Sequence, residues 1–326
     1  MDLVLGRLTP VLHLTRITTA FGAVANVWLI ILWSRAEPFE RVTAPSSLIE
    51  SPLAVVLAGG TAMAVGLFAF GMALNDTIDL RRDRALHPTR PLPSGQMTIE
   101  AAMAWVVGAL MVAVLGASTL GLPAVVMCLG TAMAILAYNA ALRFVPSIGL
   151  VLLGMIYGAH AMAANVHLVF IWPVWLAMTH ALFAGALTHY LAGTRPALTG
   201  RVLAAAILGY LFWQGVLIFV GHWRAEAFWP SEVPAGSGWW VFLLAGAFAL
   251  LVWRKCRSAG SSRAAADKVQ RYAALWLALY ATGWMLGAGH HQYALLLAGL
   301  AAVGFLGMTV LRELFSLAEH PVGYRR

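Results

Sequence analysis

Three aspartates, Asp76, Asp79 and Asp83, stand three and four residues apart at the end of a long uncharged run. On a helix these positions share one face, and Asn75, four before Asp79, joins its edge. The spacing aims three carboxylates and an amide at one volume. Uncompensated, they would repel. A hard divalent cation relieves the repulsion, and Mg2+ is satisfied by a few carboxylates together with the phosphates of a ligand. Arg81, Arg82, Arg84 and Arg90 follow closely, with donors suited to phosphate oxygens. Carboxylates, metal and arginines together imply a diphosphate. A solvated loop whose acids and bases neutralise one another would carry the same residue types.

The surrounding chain must be membrane-embedded. Of its 326 residues 61% are hydrophobic and 10% charged, against about 25% charged in ordinary soluble domains. The mean hydropathy is +0.81. So much apolar surface needs lipid as its solvent, and long continuous apolar runs specify helices rather than the short alternating strands of a barrel. Apolar stretches predict ten spans at 13–33, 53–74, 100–119, 123–142, 147–166, 171–192, 201–221, 239–255, 272–288 and 292–311. The last two are short, and fusing them gives nine. With a cytoplasmic N-terminus the ten-span arrangement puts 18 of the 21 lysines and arginines on the inner side, the bias that topology demands. Only Arg35, Arg41 and Arg224 fall outside. The net charge of +8 is thus accounted for by the membrane, without nucleic acid. Cys128 and Cys256 suggest neither a disulfide framework nor a metal site. The first apolar run lacks a small-residue cleavage site and reads as a retained span.

The stretch Asn75-Asp76-Thr77-Ile78-Asp79, with Asp83 and then Arg90-Pro91-Leu92-Pro93-Ser94-Gly95, resembles the first signature of the UbiA superfamily of intramembrane prenyltransferases, NDxxDxxxD followed by RP[LI]PSG. Both halves agree in order and spacing. "LTRITTAFGAV" resembles the family's first-span opening, with Ile17 where proline is usual, and "YNAALR" resembles its "Y…KR" at the end of span 4, keeping Arg143. The likeness covers residues 10–200. It implies an all-α polytopic membrane bundle, one domain over 1–326, with helices around a central cavity and cytoplasmic cap loops at 75–98 and 193–200. It also implies Mg2+ held by Asn75, Asp76, Asp79 and Asp83, prenyl diphosphate as substrate, and transfer of the allylic cation to a small acceptor. Arg90, Arg143 and Arg195 are the expected diphosphate donors. Tyr138, Tyr157 and Trp175 are candidates to face the cation.

The chain departs from the family after span 6. The region His180–Arg201 contains no acid, and none occurs between Glu100 and Glu226, so a second carboxylate-held metal cannot be built there. Arg195 or Arg201 could take over its charge-neutralising role. The pattern is also that of diverged family members lacking the second motif, as in ebo-type accessory clusters, and of a non-catalytic lipid- or precursor-binding subunit. Among the intramembrane histidines His160 and His167 are expected on one face of span 5. His180 and His189 lie on span 6, and His189, nearest the loop, is the candidate base for the acceptor's proton. His290-His291 falls in an outer turn. The basic segment 256–271 reads as a flexible loop against anionic headgroups. The expected location is a bacterial inner membrane.

Overall fold

The computed structural model describes residues 10–12, 14–16 and 19–319, with 311–319 by backbone alone. Arg7, Ile17, Arg325 and Arg326 lie outside the described residues. Ten long helices follow one another: α1 Phe21–Ala36, α2 Leu53–Ile78, α3 Ile99–Ser118, α4 Leu122–Ala140, α5 Pro146–Met162, α6 Trp172–Leu191, α7 Gly200–Ala225, α8 Gly236–Ser258, α9 Ser262–Gly287 and α10 His291–Glu319. Short helices Pro38–Thr43, Ser46–Glu50 and Leu80–Leu86 fill connections, and there is no strand among the described residues. Among the described residues six helices, α2, α3, α4, α7, α8 and α10, are long and apolar enough to cross a membrane.

The ends of these helices follow from local chemistry. Side chains of Thr98, Thr199 and Ser261 accept the N–H groups of Ala101, Val202 and Ala264 and so cap α3, α7 and α9. Proline opens α4, α5 and α6, where its missing N–H costs nothing. Between helices, small residues decide the packing, because lipid offers no hydrophobic gain for bringing helices together. A Cβ on Gly66 of α2 would stand 2.6 Å from the Ala113 nitrogen and 2.7 Å from the Ala109 carbonyl oxygen of α3. A Cβ on Gly116 would come 2.5 Å from the Gly59 carbonyl oxygen. α2 and α3 are therefore in backbone contact, which fixes the height at which Asp76 leaves the membrane segment.

Several expected boundaries move by four residues or more, and two of the shifts bear on named residues. α5 ends at Met162, so His167 is an exposed loop residue and does not share a helix face with buried His160. Asn165 is the cause. Its Oδ1 accepts the N–H of His167 at 3.0 Å and its Nδ2 donates to Ser34 at 2.9 Å, competing with helical bonding. The segment 256–271 is helical except at 259–261, because α8 and α9 extend into it. Cations in and beside it lean on rings, Arg257 over Trp253 and the adjoining Lys255 over Tyr272.

Candidate functional site

α2 runs to Ile78 and carries Asn75 and Asp76 in its last turn. Asp79 ends it with φ −80° and ψ 0°, and the short helix Leu80–Leu86 continues to Asp83. The slight break leaves the helical spacing intact: Asp76 and Asp83 are buried and Asp79 is nearly so. Arg81, Arg82 and Arg84, on the other side of the short helix, are exposed and do not enter the cluster. The chain then turns back through Pro91 and Leu92, both buried, which brings Arg90 over the aspartates.

Arg143 enters from a single turn of 3-10 helix between α4 and α5. Its guanidinium donates to both Asp79 oxygens, at 2.9 and 2.5 Å, and to Asn75 Oδ1. Gly149 makes this approach possible: a Cβ there would lie 3.0 Å from both Arg143 Cα and the Leu142 carbonyl oxygen. Asn139, buried on α4, donates to the Gly71 carbonyl of α2 at 3.4 Å and ties the two helices just above. Arg90 pairs with Asp83 at 2.5 Å and stands 3.6 Å from Asp76. Arg16 reaches Asp76 at 3.1 Å from the segment before α1. Asn75 Nδ2 donates to the same Asp76 oxygen.

The cluster is thus three carboxylates against three guanidiniums, with no charge left over. This differs from an open group of acids. Among the described residues no three acids, cysteines or histidines converge as a ready metal site. Asp79 has both oxygens on Arg143, whereas Asp76 and Asp83 each have one oxygen without a protein hydrogen bond among the described residues. By type the set suits a hard cation: three carboxylates and an amide oxygen. By arrangement, Asp76 and Asp83 are available and Asp79 becomes so when Arg143 turns away. Two cavities lined by residues of the α5–α6 connection and the end of α7 lie at the opposite end of the bundle.

The other expected residues sort into near and remote. Tyr138 lies on α4, five residues before Arg143, and Tyr157 lies on α5. Both are partly buried and pack on the core. His189 is bound to its own loop through Nε2 and the Pro196 carbonyl at 2.8 Å. Arg195 and Arg201 are exposed. His180 holds the Ala273 carbonyl of α9 at 3.0 Å, a helix-to-helix tie. Trp175 stacks edge-on with Trp172 at the far end of α6. Sequence reasoning assigned Arg16 to topology alone; its place in "LTRITTAFGAV", beside a family-like motif, was the available signal.

No family model and no curated protein matches the sequence. Solved structures do. A digeranylgeranylglyceryl phosphate synthase superposes with a TM-score of 0.55 at 16% identity, over 86% of this chain and 98% of that one. An apo UbiA homologue from Aeropyrum pernix K1 gives 0.47 at 20% identity, over 89% and 97% of the two chains. A UbiA homologue from Archaeoglobus fulgidus, bound to GPP and Mg2+, gives 0.46 at 13%, over 92% and 99%. At such identities the first of these likenesses speaks for the fold alone, an all-helical membrane bundle, and Asn75–Gly95 is the stretch that resembles the UbiA signature.

Proposed function

We propose that the chain is a UbiA-type intramembrane prenyltransferase that takes a prenyl diphosphate and passes the isoprenoid to a small acceptor. The observation that carries this is the charge-balanced cluster of Asp76, Asp79 and Asp83 with Arg16, Arg90 and Arg143, its carboxylates largely out of water, at the end of α2. Guanidiniums held on carboxylates are already aimed, Arg143 largely out of water, and a diphosphate presents the same paired oxygens in place of the carboxylates. Arg143 and Arg90 exchange carboxylate for phosphate oxygens as substrate enters. Each diphosphate adds negative charge to a neutral cluster, so a cation has to accompany it. Asp76, Asp83 and the released Asp79, with Asn75, would hold Mg2+, which supplies Lewis-acid stabilisation of the departing diphosphate.

The remaining residues complete the reading. Tyr138 and Tyr157, partly buried against the core, are the aromatic side chains we assign to the allylic cation. The apolar helices keep water from quenching it. His189 donates Nε2–H to Pro196 in that tautomer, which leaves Nδ1 as the atom to take the acceptor's proton. Arg195 and Arg201, in the acid-free loop, offer charge in place of a second metal. We place the chain in a bacterial inner membrane with Asn75–Gly95 and the N-terminus cytoplasmic.

The acid-free stretch between Glu100 and Glu226 favours a second reading, a lipid- or precursor-binding subunit that no longer turns substrate over. One experiment separates the two. The purified chain is mixed with farnesyl or geranylgeranyl diphosphate, with Mg2+ or with EDTA. Mg2+-dependent binding with release of diphosphate supports the enzyme. Binding without release supports a precursor-binding subunit, and absence of Mg2+-dependent binding ends the enzyme and supports a subunit that carries another lipid.

A further inference from the structure

The end of the bundle away from the aspartates holds a second charged assembly that prenyl transfer does not use. The short helix Pro38–Thr43 carries Glu40, fully buried, whose carboxyl oxygens accept the N–H groups of Val169 at 3.0 Å and Phe170 at 2.7 Å. Arg224, in the last turn of α7, crosses the same loop and donates to the Leu168 carbonyl at 2.9 Å. That is its one hydrogen bond among the described residues, and none of the ion pairs among them includes it. A guanidinium has five N–H donors, so most of this one is unused. The nearby acid Glu37 is occupied by His290 at 2.7 Å.

In front of Arg224 opens a cavity of about 430 Å³ lined by Thr43, His167, Val169, Trp223 and Arg224. The volume is within the usual range for small ligands, about 300–1,000 Å³. Burial raises the Glu40 carboxyl to about 7, so near neutrality this acid only partly offsets Arg224. The cavity therefore presents a cation, an imidazole and no carboxylate at its wall. Its rim meets lipid. Leu208, Phe212, Val216, Phe219 and Trp223 recur at helical spacing and are all exposed, a row on the broadly exposed apolar surface of α7 that leads to the cavity. Trp223 stands where indoles sit at headgroup level.

We propose that this cavity binds the phosphate of an anionic membrane lipid, with Arg224 and His167 on the phosphate and an acyl chain lying along the α7 row. A free phosphate ion satisfies the same polar groups but gains nothing from the row, and this distinguishes the two sources. Glu40 sets the position of the Val169–Phe170 backbone and hence the depth of the cavity floor.

The test is native mass spectrometry of the full chain in detergent, without Mg2+ or prenyl diphosphate. The probes are phosphatidylglycerol, phosphatidylcholine with the same chains, and inorganic phosphate. Wild type is expected to retain phosphatidylglycerol about tenfold over phosphatidylcholine. Arg224→Gln abolishes the preference, and Arg224→Lys keeps most of it. Trp223→Ala, at an exposed position, lowers retention severalfold without touching the polar floor and serves if Arg224→Gln does not fold. Equal retention of phosphatidylglycerol by wild type, Arg224→Gln and Trp223→Ala overturns the site. Saturation by inorganic phosphate at the same concentration as the lipid overturns the lipid assignment. Asp79→Asn is expected to leave every reading unchanged, so the outcome is independent of the prenyltransferase proposal.

Discussion

Arg143 holds Asp79 by two hydrogen bonds of 2.9 and 2.5 Å, across the gap between the α4–α5 connection and the end of α2. Both side chains are 13% exposed, so the pair sits largely out of water, where a two-point guanidinium contact is strong and directional. If this pair is a diphosphate and metal site in its resting arrangement, both members are essential to turnover. Asp79→Asn is expected to abolish release of diphosphate from prenyl diphosphate while the protein stays folded. Arg143→Lys, which keeps charge but offers a point contact instead of a fork, is expected to lose about 10²–10³-fold in kcat. Wild-type turnover by Asp79→Asn, measured on folded protein, would remove the metal role.

The same pair makes a less obvious prediction. In the resting state Asp79 competes with any incoming phosphate for Arg143. Removing the carboxylate charge therefore frees the arginine. Without metal, Asp79→Asn is expected to bind inorganic diphosphate about tenfold more tightly than wild type, a coupling of about 1.4 kcal/mol. With Mg2+ the order reverses. Titration calorimetry in EDTA and in Mg2+ reads both signs, and equal affinities in EDTA would show that Arg143 is not a phosphate donor.

Particular residues show what could be seen in the sequence. The ten helices were legible because each apolar run is bounded by proline, a capping hydroxyl or charge, and lipid enforces the length. Asp76, Asp79 and Asp83 were legible from spacing, since the break at Asp79 is too small to rotate Asp83 off the face. Which arginines belong with them was not. Arg81, Arg82 and Arg84 are near in sequence but point outward, while Arg16 and Arg143 come from 60 and 64 residues away. That pairing depends on which helices are neighbours, and helix periodicity does not encode it. The end of α5 was missed because Asn165 breaks a helix through a tertiary partner, Ser34, that hydropathy cannot show.

Backbone contact between α2 and α3 supports a prediction about the scaffold. A Cβ on Gly116 would collide with α2 backbone, which cannot move aside as a flexible side chain does. Gly116→Ala is expected to destabilise the fold by about 1–3 kcal/mol and lower its melting temperature in detergent. Gly108→Ala, on the same helix with nothing near its Cβ, is the control and should be neutral or slightly stabilising. Equal effects of the two would mean that α2 and α3 are not packed backbone to backbone.

Glu40 gives the fold a pH dependence whose sign can be worked out. Burial outweighs the two N–H donors of Val169 and Phe170, and the charge of Glu37 adds to it, so the carboxyl is raised from 4.5 to about 7. The folded protein then holds this proton across a range in which the unfolded chain has lost it. Stability from protonated Glu40 is fully present below pH 4.5, falls between pH 4.5 and about 7, and is gone above. The loss across that window is on the order of 2–3 kcal/mol. The charges of Arg224 and Glu40 attract, which acts against this shift. Glu40→Gln carries no titrating proton and retains a carbonyl acceptor for one of the two N–H groups. Its stability relative to wild type should therefore rise from pH 4.5 to pH 8. At pH 4.5 the variant should be the weaker of the two, since its amide NH2 cannot accept the second N–H. Unfolding in detergent at the two pH values measures the difference, and a constant gap between variant and wild type would mean that Glu40 does not change protonation in this range.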